Sequence, residues 1–246
     1  MLAWAILVIF LVFFLYVGVP WIYGRSVRIL LKRRAQGQEA LVLTFDDGPG
    51  SRLTPAILNI LAENKAKATF FLLGRNIVGR EEIVRRIAGQ GHEICSHGYD
   101  HLHYWKVSPL RSLSDIRRGW ETIDAALGVK RQKYPFRPPN GKLNIVSLLY
   151  LLVRQVPIIY WSVDSGDTWQ SHPDCRRVAL FAKKAGGAVS LAHDFDRSDD
   201  SMDGLVLESI RSALAMAEEE GMRVSTISQL LYQDRQTPIS GPLKTI

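Results

Sequence analysis

Ala40-Leu41-Val42-Leu43-Thr44-Phe45-Asp46-Asp47-Gly48-Pro49 decides how the rest of this chain is read. An apolar run of strand length ends in two adjacent carboxylates and a Gly-Pro turn, so a buried strand delivers acidic groups to its own C-terminal end. Neighbouring strand residues point to opposite faces, so within a regular strand Asp46 and Asp47 cannot both face one ligand. At the strand's end, where the chain turns, they can take different tasks side by side. A solvated turn or a helix N-cap uses the same residues, and this stretch alone does not choose between them.

Four further motifs follow apolar runs in the same manner: His97-Gly98-Tyr99-Asp100-His101, Arg137-Pro138-Pro139-Asn140-Gly141, Asp164-Ser165-Gly166-Asp167 and Leu191-Ala192-His193. Strands are expected over 40–45, 68–73, 92–96, 134–136, 158–163, 188–192 and 222–224. Helices are expected near 55–64, 80–89, 109–127, 144–155, 175–184 and 204–219. This alternation argues for parallel βαβ units, closed into a barrel or left as an open sheet. In either case the C-terminal ends of the strands converge on one rim. All five motifs fall there.

His97 and His101 are four residues apart, and on a helical turn both imidazoles would face one cation. A carboxylate with two histidines leaves positions open for water and substrate; two surface or core histidines are the plain alternative. In the 137–141 loop neither Pro138 nor Pro139 has an N–H, so Asn140 offers the first free backbone donor after Arg137, suited to a developing oxyanion. Arg137 suits a buried carboxylate, although by itself the loop also reads as a surface turn. Asp164 and His193 read as a pair in which the carboxylate raises the imidazole pKa, as a general acid requires. His92, His103 and His172 read as bystanders, and Asp194, Asp196, Asp199, Asp200 and Asp203 as loop carboxylates.

Ahead of this domain, residues 2–24 hold no charged side chain. A helix over 2–23 would be about 33 Å long, enough to cross a hydrocarbon core of about 30 Å. Trp4, Trp21 and Tyr23 stand where aromatic belts lie. No basic leader precedes the run, and Gly18-Val19-Pro20 is a poor cleavage site, so a retained anchor is favoured over a signal peptide. The expected division is a transmembrane anchor over 1–24, a basic juxtamembrane linker over 25–38 and one domain over 39–246. Arg25, Arg28, Lys32, Arg33 and Arg34 on the C-terminal side of the run place that domain on the cytoplasmic face, with translocation to the outer face as the alternative. Beyond residue 38 there are 26 basic against 24 acidic side chains, a net +2, so the basic character belongs to the anchor and no nucleic-acid partner is indicated. Cys95 and Cys175 make no disulfide framework.

Read together, the motifs resemble those of the polysaccharide deacetylases of the NodB homology type, carbohydrate esterase family 4, over residues 39–232. The resemblance implies a distorted (β/α) barrel and a divalent metal, usually zinc, held by Asp47, His97 and His101. It implies Asp46 as general base positioned by Arg137, the Asn140 N–H on the oxyanion, and His193 as general acid tuned by Asp164. The implied reaction removes an N-acyl group, acetyl or formyl, from an amino sugar. A cytoplasm-facing site at the membrane suggests a lipid-linked glycan; an outward-facing one suggests peptidoglycan or an exported polysaccharide. A catalytically idle sugar-binding membrane protein would be expected to lack Asp46, His97, His101 or His193, and a metal phosphodiesterase would need more clustered ligands. Tyr104, Trp105 and Trp169 are candidates to stack on sugar rings or simply to pack. Departures from the family pattern are Gly98 in place of Ser or Thr, Asn140 in place of a frequent Tyr, and Trp169 two residues after Asp167 rather than one.

Overall fold

The computed structural model describes residues 1–131, 133–170, 173–198 and 200–232. His172, Asp199 and the last part of the expected domain, 233–246, lie outside them. The chain begins with helix α1 (Leu2–Phe13), a π-helical turn (Phe14–Gly18) and helix α2 (Val19–Gly37). Strands β1 (Ala40–Val42) and β2 (Thr44–Asp46) follow, then α3 (Leu53–Glu63), β3 (Thr69–Leu72), α4 (Gly74–Ile77), α5 (Glu81–Gly89) and β4 (Glu93–Ser96). The remainder is α6 (Pro109–Leu127), α7 (Ile145–Val153), β5 (Val163–Asp164), α8 (Arg177–Ala185), β6 (Ala188–His193), α9 (Ser201–Glu219), β7 (Arg223–Val224) and α10 (Ile227–Tyr232).

β1 and β2 form one extended run interrupted at Leu43, and both pair with β6 in a single register, Leu41 opposite Ala188 and Phe45 opposite Ala192. On its other edge the run changes partner, from β7 along β1 to β3 along β2. Every pairing is parallel, and the strands carry continuous apolar runs because helices cover the outer face while side chains fill the interior. From β2 the wall proceeds through β3 and β4 to Phe136, which bridges Ser96 on one side and Ile158 on the other. The stretch from Ile158 reaches β5, and β5 pairs with β6, closing the distorted barrel. The strands expected at 134–136 and 158–163 shrink to these bridges and to β5. Pro135 sits inside the first and Pro157 immediately before the second, where each removes a ladder donor, so the contacts that remain are single bonds such as Phe136 N–H to the Pro157 carbonyl (2.8 Å).

Residues 25–38 are not a linker. Leu2–Gly37 is one 36-residue helix, about 54 Å long, whose most apolar 18-residue window has mean hydropathy 2.8 and no buried residue. It is long and apolar enough to cross a bilayer. Its second half carries Gly24, Val27, Leu31 and Ala35 at helical spacing, and that stripe packs on the barrel, with Leu31 and Ala35 fully covered. Gln36 Nε2–H donates to the Ala185 carbonyl at 2.9 Å. Gly187, at φ +146°, leaves room for the Ala35 carbonyl where any side chain would collide.

Candidate active site and metal centre

β2 ends at Asp46, and Asp47 takes the left-handed region at φ +69°. This reversal breaks the strand alternation and turns both carboxylates into the same cleft. A non-glycine residue pays about 1–2 kcal/mol for that conformation, and the next loop fixes it: Asn76 Nδ2–H donates to the Asp47 carbonyl (2.6 Å), and Leu73 N–H to the Gly48 carbonyl (2.8 Å). Asp194, expected as a loop carboxylate, is fully buried beneath this turn and accepts the Thr54 hydroxyl at 2.6 Å. Burial pushes its pKa up to about 7, aided by the charges of Asp47 and Asp46, while the Thr54 bond opposes the rise.

His97 and His101 do converge, but not on a helical turn. The loop after β4 is non-helical, with Gly98 at φ +84° and His101 at φ +57° doing the folding. Asp47 Oδ1 lies 3.5 Å from His97 Nε2 and 3.5 Å from His101 Nε2. Among the described residues that oxygen is buried without a hydrogen-bond partner. Bonds of about 2.1 Å around a tetrahedral cation give a ligand–ligand edge of about 3.4 Å, so the three side chains fit one divalent ion. Burial holds the His97 pKa down at about 3. Its neutral ring donates Nδ1–H to the Arg137 carbonyl (2.8 Å), which leaves the Nε2 lone pair facing Asp47.

The loop itself is held by Asp115, which composition and spacing gave no reason to single out. Buried on α6, Asp115 accepts the Asp100 N–H and the Tyr104 hydroxyl, each at 2.7 Å. A Cβ on residue 98 would collide with its carboxylate, which accounts for glycine at that position. Tyr104 is thereby packing: it is fully buried and stacks on Phe136. Trp105 donates to the Leu143 carbonyl (2.8 Å), and Trp169 remains 60% exposed.

Arg137 is 0% and Asp46 2% exposed. Nη1–H donates to Asp46 Oδ1 (2.6 Å) and to Thr44 Oγ1 (2.8 Å), Nη2–H to the Tyr160 carbonyl (3.2 Å), and the guanidinium lies 3.9 Å from the Phe71 ring centroid. Burial raises the Asp46 pKa above the ordinary carboxylate value, and Arg137 and His193 restrain the rise. Asn140, at φ +56°, lines the same cleft, and no acceptor among the described residues takes its N–H.

Asp164 is not the partner of His193. Its Oδ1 turns back to accept the Gly166 N–H (2.8 Å) and Trp169 Nε1–H (3.2 Å). Gly166, at φ +87°, then swings Asp167 under the imidazole. Asp167 Oδ1 meets His193 Nδ1 at 2.9 Å, and Oδ2 accepts the His193 backbone N–H (3.0 Å) and Arg197 Nη2–H (2.7 Å). Burial disfavours the imidazolium, but the hydrogen bond and charge of Asp167, with Asp47 and Asp46, outweigh it and hold the His193 pKa at about 9. Asp46 and His193 are direct neighbours across β2 and β6. The cleft holds about 500 Å3 and is walled also by Pro138, Gly141, Lys142, Trp161 and Phe195.

The family model for polysaccharide deacetylase matches residues 33–152. The chain carries a polysaccharide deacetylase domain of the NodB homology type, and solved structures of carbohydrate esterase family 4 share its fold. It is 29% identical over 215 residues to a peptidoglycan-N-acetylglucosamine deacetylase, PgdA, of Listeria monocytogenes, covering 86% of this chain and 43% of that protein. It is 35% identical over 153 residues to a peptidoglycan-N-acetylglucosamine deacetylase of Bacillus cereus, covering 62% of this chain and 55% of that one. Among solved structures, the Bc1960 peptidoglycan N-acetylglucosamine deacetylase superposes with a TM-score of 0.70 at 27% identity, covering 81% of this chain and 91% of that one. The chain thus spans about half the length of the first of its curated relatives, and most of the solved domain.

Proposed function

We propose that this protein is a metal-dependent hydrolase that removes the N-acyl group from an amino sugar of a glycan at a membrane. The unpartnered Asp47 Oδ1, equidistant from two imidazole nitrogens and beside Asp46 and His193, carries the reading. Asp47, His97 and His101 would hold the cation, and this mixed carboxylate–imidazole set suits zinc. Bound there, a divalent ion supplies Lewis-acid polarisation of the acyl carbonyl and a lowered pKa for water.

The remaining chemistry belongs to the chain. Asp46, fixed by Arg137, takes the proton of the attacking water. Its raised pKa makes it a stronger base towards that water than an ordinary carboxylate. The Asn140 N–H is free to donate to the oxyanion. His193, charged at neutral pH through Asp167, gives its proton to the departing sugar amine, and the acyl acid is released. Acetate release from N-acetylated chitooligosaccharides, measured with metal content, tests the assignment. Asp46→Asn and His193→Ala should bind metal normally and turn over at least about 100-fold more slowly.

The N-terminal helix is read as a retained anchor, which its packing on the barrel supports. The basic residues after residue 24 favour the cytoplasmic face. The names of the relatives, which are peptidoglycan deacetylases, favour the outer one. Reporter fusions at the C-terminus decide between the two.

A further inference from the structure

Arg28 sits on α2, four residues beyond the uncharged span, and reaches the wall of the cleft. Its guanidinium lies 3.9 Å from the Trp161 ring centroid and 5.2 Å from that of Tyr160. Its Nη2 is 2.8 Å from where a Cβ of Gly141 would stand. Trp161, Gly141 and the adjacent Lys142 all line the cleft. Among the described residues the Arg28 guanidinium has neither a hydrogen bond nor a carboxylate within ion-pair distance, and the charge of Asp164 reaches it only from farther off. Asp164, the acidic group on that side, commits Oδ1 to Gly166 and Trp169. Lys142 likewise has no carboxylate partner there; its Nζ lies 3.4 Å from His103 Nε2 and 4.7 Å from the Trp105 ring centroid.

Two half-covered cations therefore flank Gly141 at one rim of the cleft. A guanidinium held on an indole face is already stripped of water on one side, and its free edge suits a tetrahedral oxyanion. The loop that carries Gly141 runs directly into α7, which packs beside the π-helical turn of the span and leaves Leu149, Leu152 and Val153 exposed. An apolar face contiguous with the long N-terminal helix and a pair of cations thus meet at the cleft mouth.

We propose that Arg28, with Lys142 across Gly141, binds the phosphate of an amino sugar carried on a membrane lipid, whose hydrocarbon chain lies along α7 and the span. The proposal rests on the deacylase reading of the cleft and narrows its substrate. The test uses the full-length chain in detergent micelles with four N-acetylglucosamine substrates: a long-chain isoprenyl phosphodiester, a neutral glycoside of equal chain length, the soluble sugar 1-phosphate and a chitooligosaccharide.

The wild type should prefer the phosphodiester to the neutral lipid. Arg28→Gln should lower that preference, the ratio of the two kcat/KM values, by about tenfold, as loss of a charged hydrogen bond predicts. Arg28→Lys should restore part of it. A ratio unchanged by Arg28→Gln overturns the phosphate site. A soluble sugar phosphate turned over as well as the lipid-borne one overturns the lipid carrier. Absence of turnover on all four substrates, chitooligosaccharide included, strikes the deacylase reading instead.

Discussion

Asp167 Oδ1 stands 2.9 Å from His193 Nδ1, and that contact holds the imidazole charged beside Asp46. With Asp167 in place the imidazolium persists to about pH 9. Asp167→Asn should move the alkaline limb of the kcat profile down from about 9 towards 6.5, while Asp164→Asn leaves it in place. The same pair affects stability. A pKa raised in the folded state stabilises fully below 6.5, and that contribution is lost as pH rises through about 9. Urea unfolding below and above this window should show the decline in the wild type, and a smaller one in His193→Gln.

Metal content should separate the two groups of site residues. Loss of an outer-shell partner costs about 10–100-fold in metal affinity, so Asp47→Ala and His101→Ala should each cost more than 100-fold. His193→Ala should retain the ion. Equal metal content in all three variants would remove the proposed centre.

Arg137 and Asp46 are a buried pair, and breaking one side leaves an uncompensated charge. Arg137→Met should destabilise the fold by about 3–5 kcal/mol. The double variant Arg137→Met/Asp46→Asn should recover much of that loss, because no unpaired carboxylate remains. Chemical denaturation of the four proteins in the cycle measures the coupling directly.

Gly98 of the 97–101 loop and Asp115 of α6 occupy complementary space. Gly98→Ser should weaken metal binding, because the added side chain meets the Asp115 carboxylate at a backbone angle that disfavours it. Asp115→Asn keeps the shape but turns one acceptor into a donor facing either the Asp100 N–H or the Tyr104 hydroxyl. It should weaken metal binding about 10–100-fold with little change in secondary structure. Metal titration followed by calorimetry, beside circular dichroism, distinguishes this from unfolding.

The strand–helix order and the strand ends that carry chemistry were legible because apolar runs bounded by Gly, Pro and Asp survive any tertiary detail. Asp46, Asp47, His97, His101, Asn140 and His193 could be placed at one rim on that basis alone. The choice between Asp164 and Asp167 could not, since both lie in one four-residue motif. A positive φ at Gly166 and a side-chain bond back to its N–H decide which carboxylate swings under the imidazole. A spacing of four suggests a helical turn over 97–101, yet two left-handed residues bring the same rings together. The charges of residues 25–38 suggest a linker and mask the stripe of Val27, Leu31 and Ala35 that faces the barrel.

The barrel is weakest in backbone bonding where Phe136 and Ile158 make single bridges, and there α2 lies across it, with Gly24 against the Tyr160 ring. A soluble fragment cut after residue 38 would lose that splint along with the hydrophobic tail. The Tyr160 carbonyl holds Arg137, and Arg137 holds Asp46, so the damage would propagate to the Asp46 carboxylate in the cleft. Sluggish catalysis by such a fragment would then report a slackened wall rather than a missing bilayer, and detergent-solubilised full-length protein is the proper reference for it.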